Sequence, residues 1–167
     1  MIGIIVGSKS DVETLEPCFE LLERFGIAYE FKVLSAHRTP DETAEYARTA
    51  RSRGLKVLIA GAGLAGALPG MIAAHTNLPV IGIPIPGGPL NGVDALLSIV
   101  QMPGGVPVAT VSLGKAGAKN AAVLAARILA LSDEDLAARL EEWMTGQAQE
   151  VLKSSEEVER TFKPEDK

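Results

Sequence analysis

A chain of 167 residues, 47% of them apolar and only 4% aromatic, fits one domain whose core is built from Ala, Val, Ile and Leu, as in closely packed helices on a sheet. The formal net charge of −5, with acidic and basic residues mixed along the chain, offers no basic stripe to a phosphate backbone and so excludes nucleic acid as the expected partner. Cys18 is the single cysteine, which excludes an intrachain disulfide and a cysteine zinc cluster, and Gly or Pro interrupts each apolar stretch before the ~18–20 residues of a membrane span.

The chain opens on I-G-I-I-V (residues 2–6), a continuous apolar run of the kind found in a strand covered on both faces. No leader precedes it, so a reducing cytoplasm is the expected location. A helix is predicted from Ser10 to Arg24, with Ser10 and Glu13 at capping-box spacing and Gly26 as the stop; Pro17 must kink it or delay its start. A second strand follows at 28–34. Thr39-Pro40-Asp41-Glu42 combines an N-cap residue, a proline at the first helical position and a glutamate at the third, so a helix begins there and stops near Gly54.

Strands at 56–60 and 79–84 bracket a short helix at 67–75. An irregular Gly/Pro segment from Pro84 leads to a helix at 92–102, a fifth strand at 106–111, and helices at 116–130 and 132–154. The alternation of strand and helix predicts right-handed crossovers and a five-stranded parallel sheet. On the last helix Leu136, Leu140, Trp143, Met144, Val151 and Leu152 form an apolar stripe longer than such a sheet needs, which fits either the chain's own core or a neighbouring subunit. No repeat or linker divides the chain, and the charged tail after Ser155 carries no apolar pattern.

In an open parallel sheet the ligand crevice lies beyond the carboxyl ends of the strands, so the segments just after each strand are the informative ones. G-S-K-S-D at Gly7–Asp11 carries two hydroxyls, a lysine and a carboxylate, and Ser8, Ser10 and Asp11 are able to cap a helix or to bind an anion and a ribose diol. S-A-H-R-T-P at Ser35–Pro40 holds His37, whose imidazole takes and gives a proton near neutrality, beside Arg38, whose planar fork suits phosphate or carboxylate. G-A-G-L-A-G at Gly61–Gly66 matches G-x-G-x-x-G, a spacing that lets backbone N–H groups approach a pyrophosphate. It follows the third strand rather than the first, and no Asp or Glu occurs between Gly66 and Asp94, which argues against a dinucleotide site and leaves these amides to a carboxylate or phosphate. His75 at a helix end and Cys18 on an apolar helix face read as structural. The two histidines have no metal-ligand spacing.

Five ordered motifs, G-S-K-S-D, S-A-H-R-T-P, L-P-G-M at Leu68–Met71, S-I-V-Q-M-P-G-G-V-P-V at Ser98–Val108 and G-K-A-G-A-K-N-A-A at Gly114–Ala122, resemble the N5-carboxyaminoimidazole ribonucleotide mutase family over Ile2 to about Leu152. The resemblance implies a flavodoxin-like α/β/α sandwich forming one catalytic domain over 1–167. It further implies a homo-octamer with the helix and tail of 133–167 on a neighbouring subunit, and no metal or organic cofactor. It implies that Ser8, Asp11 and Arg38 bind the ribonucleotide, with Ser10 and Ser35 beside them, that His37 exchanges the proton of the carboxylated ring carbon, and that Gly61, Ala62, Gly63 and Leu68 cradle carbon dioxide or carboxylate.

Two positions depart from the family pattern: Ala67 stands where the mutases usually carry histidine, and Val12 where they commonly carry tryptophan or leucine. A related branch that carboxylates aminoimidazole ribonucleotide directly also lacks that histidine, but usually has lysine where this chain has Arg38. Direct carboxylation and a non-catalytic nucleotide-binding module are the alternative readings.

Overall fold

Ile2, Ile4, Ile5 and Val6 have no exposed surface, because β1 (Ile2–Val6) is an inner strand with helices on both faces. The computed structural model describes residues 1–161. β2 (Tyr29–Val33), β3 (Val57–Ala62), β4 (Val80–Pro84) and β5 (Ala109–Thr110) complete a sheet of order β2-β1-β3-β4-β5, parallel throughout. That order is the flavodoxin-like one. β5 is shorter than the 106–111 expected. Pro107 has no N–H to give a ladder, and on this edge only Ala109 and Thr110 pair with β4.

Between the strands lie α1 (Val12–Arg24), α2 (Pro40–Thr49), α3 (Ala67–Ala73) and α4 (Val93–Val100), and α5 (Gly114–Ala130) and α6 (Glu134–Val158) follow β5. On one face Leu15, Cys18 and Leu22 of α1 and the alanines 118, 121, 122, 125 and 126 of α5 cover Ile2, Ile4, Val6, Ile59 and Ile83. On the other, Tyr46 and Ala47 of α2, Leu68 and Ile72 of α3 and Ile99 of α4 cover Ile5, Leu58 and Ala60. The small alanine face lets α5 lie close to the sheet. At Gly117 a Cβ would collide with the carbonyl oxygen of Ser112, in the segment that leads into α5, and would stand 3.4 Å from Ile83 of β4.

Two predicted caps are used differently. Ser10 does not start the first helix: Lys9–Asp11 is a 3₁₀ turn capped by Ser8, whose Oγ accepts from the Ser10 N–H at 3.3 Å, and α1 begins only at Val12 with Pro17 inside it. Thr39 occupies the N-cap position of α2, yet its hydroxyl makes no cap bond. It accepts instead from the Ser35 N–H at 2.9 Å and lies 3.2 Å from the Ser35 carbonyl oxygen, closing the turn that carries His37.

The long stripe of α6 divides between the two readings given to it. Leu136 and Leu140 are buried in the chain's own core, and Trp143 packs edge-on against Phe25 with ring centroids 5.8 Å apart. Further along, Val151 and Leu152 are 68% and 64% exposed. Residues 162–167 of the charged tail lie outside the described residues.

Candidate active site

β1 lies between β2 and β3, so the chain leaves β1 toward one neighbour and later returns to the other. The loops diverge there and open a crevice at the carboxyl ends of the strands. A cavity of about 810 Å³ fills it, lined from four loops: Gly7–Asp11, Ser35–Arg38, Ala62–Leu68 and Ile85–Gly88.

Its two walls differ in chemistry. On the polar wall, Ser10 Oγ lies 2.8 Å from Ser8 Oγ and 3.1 Å from Asp11 Oδ1. One hydroxyl proton serves a single acceptor at a time, so this short chain leaves the Ser8 proton and a carboxylate oxygen for a ligand with both donors and acceptors. Arg38 reaches across from the end of β2. Its Nη2 donates to the Gly7 carbonyl oxygen at 3.0 Å, its Nε lies 3.5 Å from Ser35 Oγ, and its backbone N–H donates to the same hydroxyl at 3.2 Å. With the base of the fork held, the remaining N–H groups are aimed rather than free to wander, which favours bidentate capture of an anion. His37 sits at the tip of this turn, exposed, with its backbone fixed by the Ser35–Thr39 bonds.

The other wall is apolar, formed by Ala62, Gly63, Leu64, Ala65, Ala67, Leu68, Ile85 and Pro86. The N-cap of α3, Gly66, has φ +55, and Leu64 also has a left-handed backbone at φ +50.

Of the residues singled out in the sequence, Ser8, Ser10, Asp11, Ser35, His37, Arg38, Ala62, Gly63 and Leu68 all line this cavity. Gly61 does not. It is a buried residue of β3, and a Cβ there would meet Ile85 at 3.0 Å and Leu15 and Val6 at 3.3 Å. The first two residues of G-x-G-x-x-G are thus strand rather than loop, and a pyrophosphate has no access to the first glycine. Lys9 is exposed and outside the cavity.

Thr14, Leu64, Ala65, Ile85 and Pro86–Gly88 were not singled out, although Leu64 and the Gly/Pro segment stand in two strand-end loops already recognised. His75 is structural: its Nδ1 lies 2.8 Å from the Met71 carbonyl oxygen at the end of α3. Cys18 is buried, and desolvation raises its thiol from 9.0 to about 12. Among the described residues no helix is long and apolar enough to cross a membrane.

The model of the AIR carboxylase family matches residues 1–150. A Bacillus subtilis protein named N5-carboxyaminoimidazole ribonucleotide mutase is 60% identical over 158 residues, which cover 95% of this chain and 98% of the relative. A Thermotoga maritima protein of the same name is 51% identical, covering 95% and 92%. A crystal structure of Treponema denticola PurE superposes with a TM-score of 0.86 at 31% identity, covering 95% of this chain and 98% of that one.

Proposed function

The chain belongs to the AIR carboxylase family, and from that premise we propose that it is a mutase of purine biosynthesis acting on N5-carboxyaminoimidazole ribonucleotide. It moves the carboxylate from the exocyclic nitrogen to the imidazole ring carbon, giving 4-carboxy-5-aminoimidazole ribonucleotide. The observation that carries this reading is the pairing, in one cavity, of a histidine–arginine–serine wall with an apolar wall of Ala62, Gly63, Leu64, Leu68 and Ile85.

Arg38 and the hydroxyls of Ser8, Ser10 and Ser35 take the phosphate and its neighbours, and Asp11 accepts from the ribose diol. The carbamate C–N bond breaks, its electron pair stays on nitrogen, and the nitrogen gains a proton. Carbon dioxide, freed against Ala62, Gly63 and Leu68, is attacked by the electron-rich ring carbon, forming the new C–C bond. His37 then takes the proton from that carbon, so one proton is gained and one released over the cycle. The aminoimidazole supplies its own nucleophile, and the protein contributes orientation, confinement and a proton carrier.

The apolar half-turns of α6 that stay exposed, Val151 and Leu152 among them, support assembly into a homo-octamer in which this helix packs on a neighbour. A cytoplasmic location fits the substrate. The direct test follows substrate carrying a ¹³C-labelled carbamate by NMR: the label is expected to move to the ring-carboxylate position, and a spectrum showing only free bicarbonate would refute the mutase reading.

A further inference from the structure

Leu64 combines three features that packing alone does not explain. Its backbone is left-handed at φ +50, a conformation in which the Cβ crowds the following carbonyl and which glycine adopts without that penalty. Its side chain is 57% exposed and belongs to neither core cluster, so burial does not compensate for the backbone. And it lines the cavity, crossing to the opposite rim: a Cβ on Gly88, itself at φ +62, would stand 2.6 Å from Leu64 Cδ2. Beside it a Cβ on Gly63 would stand 3.3 Å from the Ile85 carbonyl oxygen. The loops after β3 and β4 therefore meet over the apolar half of the cavity, and the Leu64 side chain spans the join. Unfavourable backbone retained at a site edge points to a role in the site.

Resting on the mutase reading above, we propose that Leu64 is the closure that keeps carbon dioxide in the pocket between its release from nitrogen and its capture by carbon. Carbon dioxide has no charge and no hydrogen-bond donor, so charged groups hold it poorly, and an apolar wall that excludes water confines it. Arg38 and Ser8 hold the nucleotide; Leu64 holds the fragment in transit.

The test supplies substrate with a ¹³C-labelled carbamate in buffer containing unlabelled bicarbonate and measures the ¹³C fraction of the ring-carboxylated product by mass spectrometry. The unaltered chain is expected to deliver most of the label to product. Leu64→Gly, which suits φ +50 and leaves the fold intact by circular dichroism, is expected to lose most of the label to the buffer and to release free aminoimidazole ribonucleotide. Leu64→Met restores retention. A defect in fold or binding would slow turnover without changing where the label goes. If Leu64→Gly retained label as the unaltered chain does, the role of Leu64 would be overturned and the mutase reading would stand. An unaltered chain that converted no carbamate would overturn both.

Discussion

Arg38 Nη2 donates to the carbonyl oxygen of Gly7 at 3.0 Å, joining residues that are 31 apart in the chain at the mouth of the cavity. The bond fixes a cation where β1 ends and the loops diverge, in a protein whose net charge of −5 otherwise repels an anionic substrate. Lysine has one ammonium and no fork, so it cannot hold Gly7 and Ser35 while also gripping a phosphate. Arg38→Lys is expected to raise KM about ten- to a hundredfold, the cost of a lost charge-assisted hydrogen bond of ~1.5–3 kcal/mol, with a smaller change in kcat. Steady-state kinetics checks it; an unchanged KM would contradict the role.

His37 stands apart from that anchoring. Its turn is held by Ser35 and Thr39, so the ring can be changed without loosening the loop. His37→Asn is expected to lower kcat by about 10²–10⁴-fold, the usual contribution of general acid–base catalysis, while calorimetry shows nucleotide binding retained. Near-normal turnover would remove the proton-carrier assignment.

Burial of the Cys18 thiol makes a prediction about stability. The group is held protonated in the folded chain up to about pH 12 but ionises near its ordinary value of 9.0 once unfolded. Below that value both states carry the proton and it contributes no slope. Above it the unfolded state holds fewer protons, so stability falls as pH rises, by up to about 1.4 kcal/mol per pH unit. Urea midpoints taken from about pH 8 to about pH 10 are expected to fall less steeply in Cys18→Ala than in the unaltered chain. Parallel curves would contradict the account.

The outer half of α6 yields a test of assembly. Leu136 and Leu140 belong to the core of their own chain, whereas Val151 and Leu152 are exposed. Val151→Asp with Leu152→Asp is therefore expected to leave the circular dichroism spectrum intact while shifting sedimentation to smaller species. A double variant that sedimented unchanged would show that this segment lies outside any subunit contact.

Much of this architecture was legible because apolar runs and turn residues have direct physical meaning. I-G-I-I-V is uninterrupted because both faces of β1 are covered, and the strand–helix alternation leaves little choice of connection. The polar half of the cavity was legible for a related reason: chemically distinctive side chains, Ser8, Asp11, His37 and Arg38, follow directly on strands. What escaped depended on choices between near-equal partners. Thr39 is able either to cap α2 or to close the Ser35 turn, and only the folded loop decides for the turn. G-x-G-x-x-G has the same spacing whether Gly61 faces a ligand or, as here, Ile85 and Leu15. The apolar wall lacked a signal of its own, since Leu64, Ile85 and Pro86 look like core or turn residues until two loops meet across a cavity.

The central claim, that the carboxyl group is passed within one substrate, is tested most directly by initial rates on two substrates under identical conditions. One reaction receives N5-carboxyaminoimidazole ribonucleotide without added bicarbonate, the other aminoimidazole ribonucleotide with bicarbonate. The carbamate is expected to be converted far faster and independently of bicarbonate. Faster carboxylation of the free amine, rising with bicarbonate, would contradict it and make the chain a direct carboxylase, the activity of the related branch that also lacks a histidine at the position of Ala67.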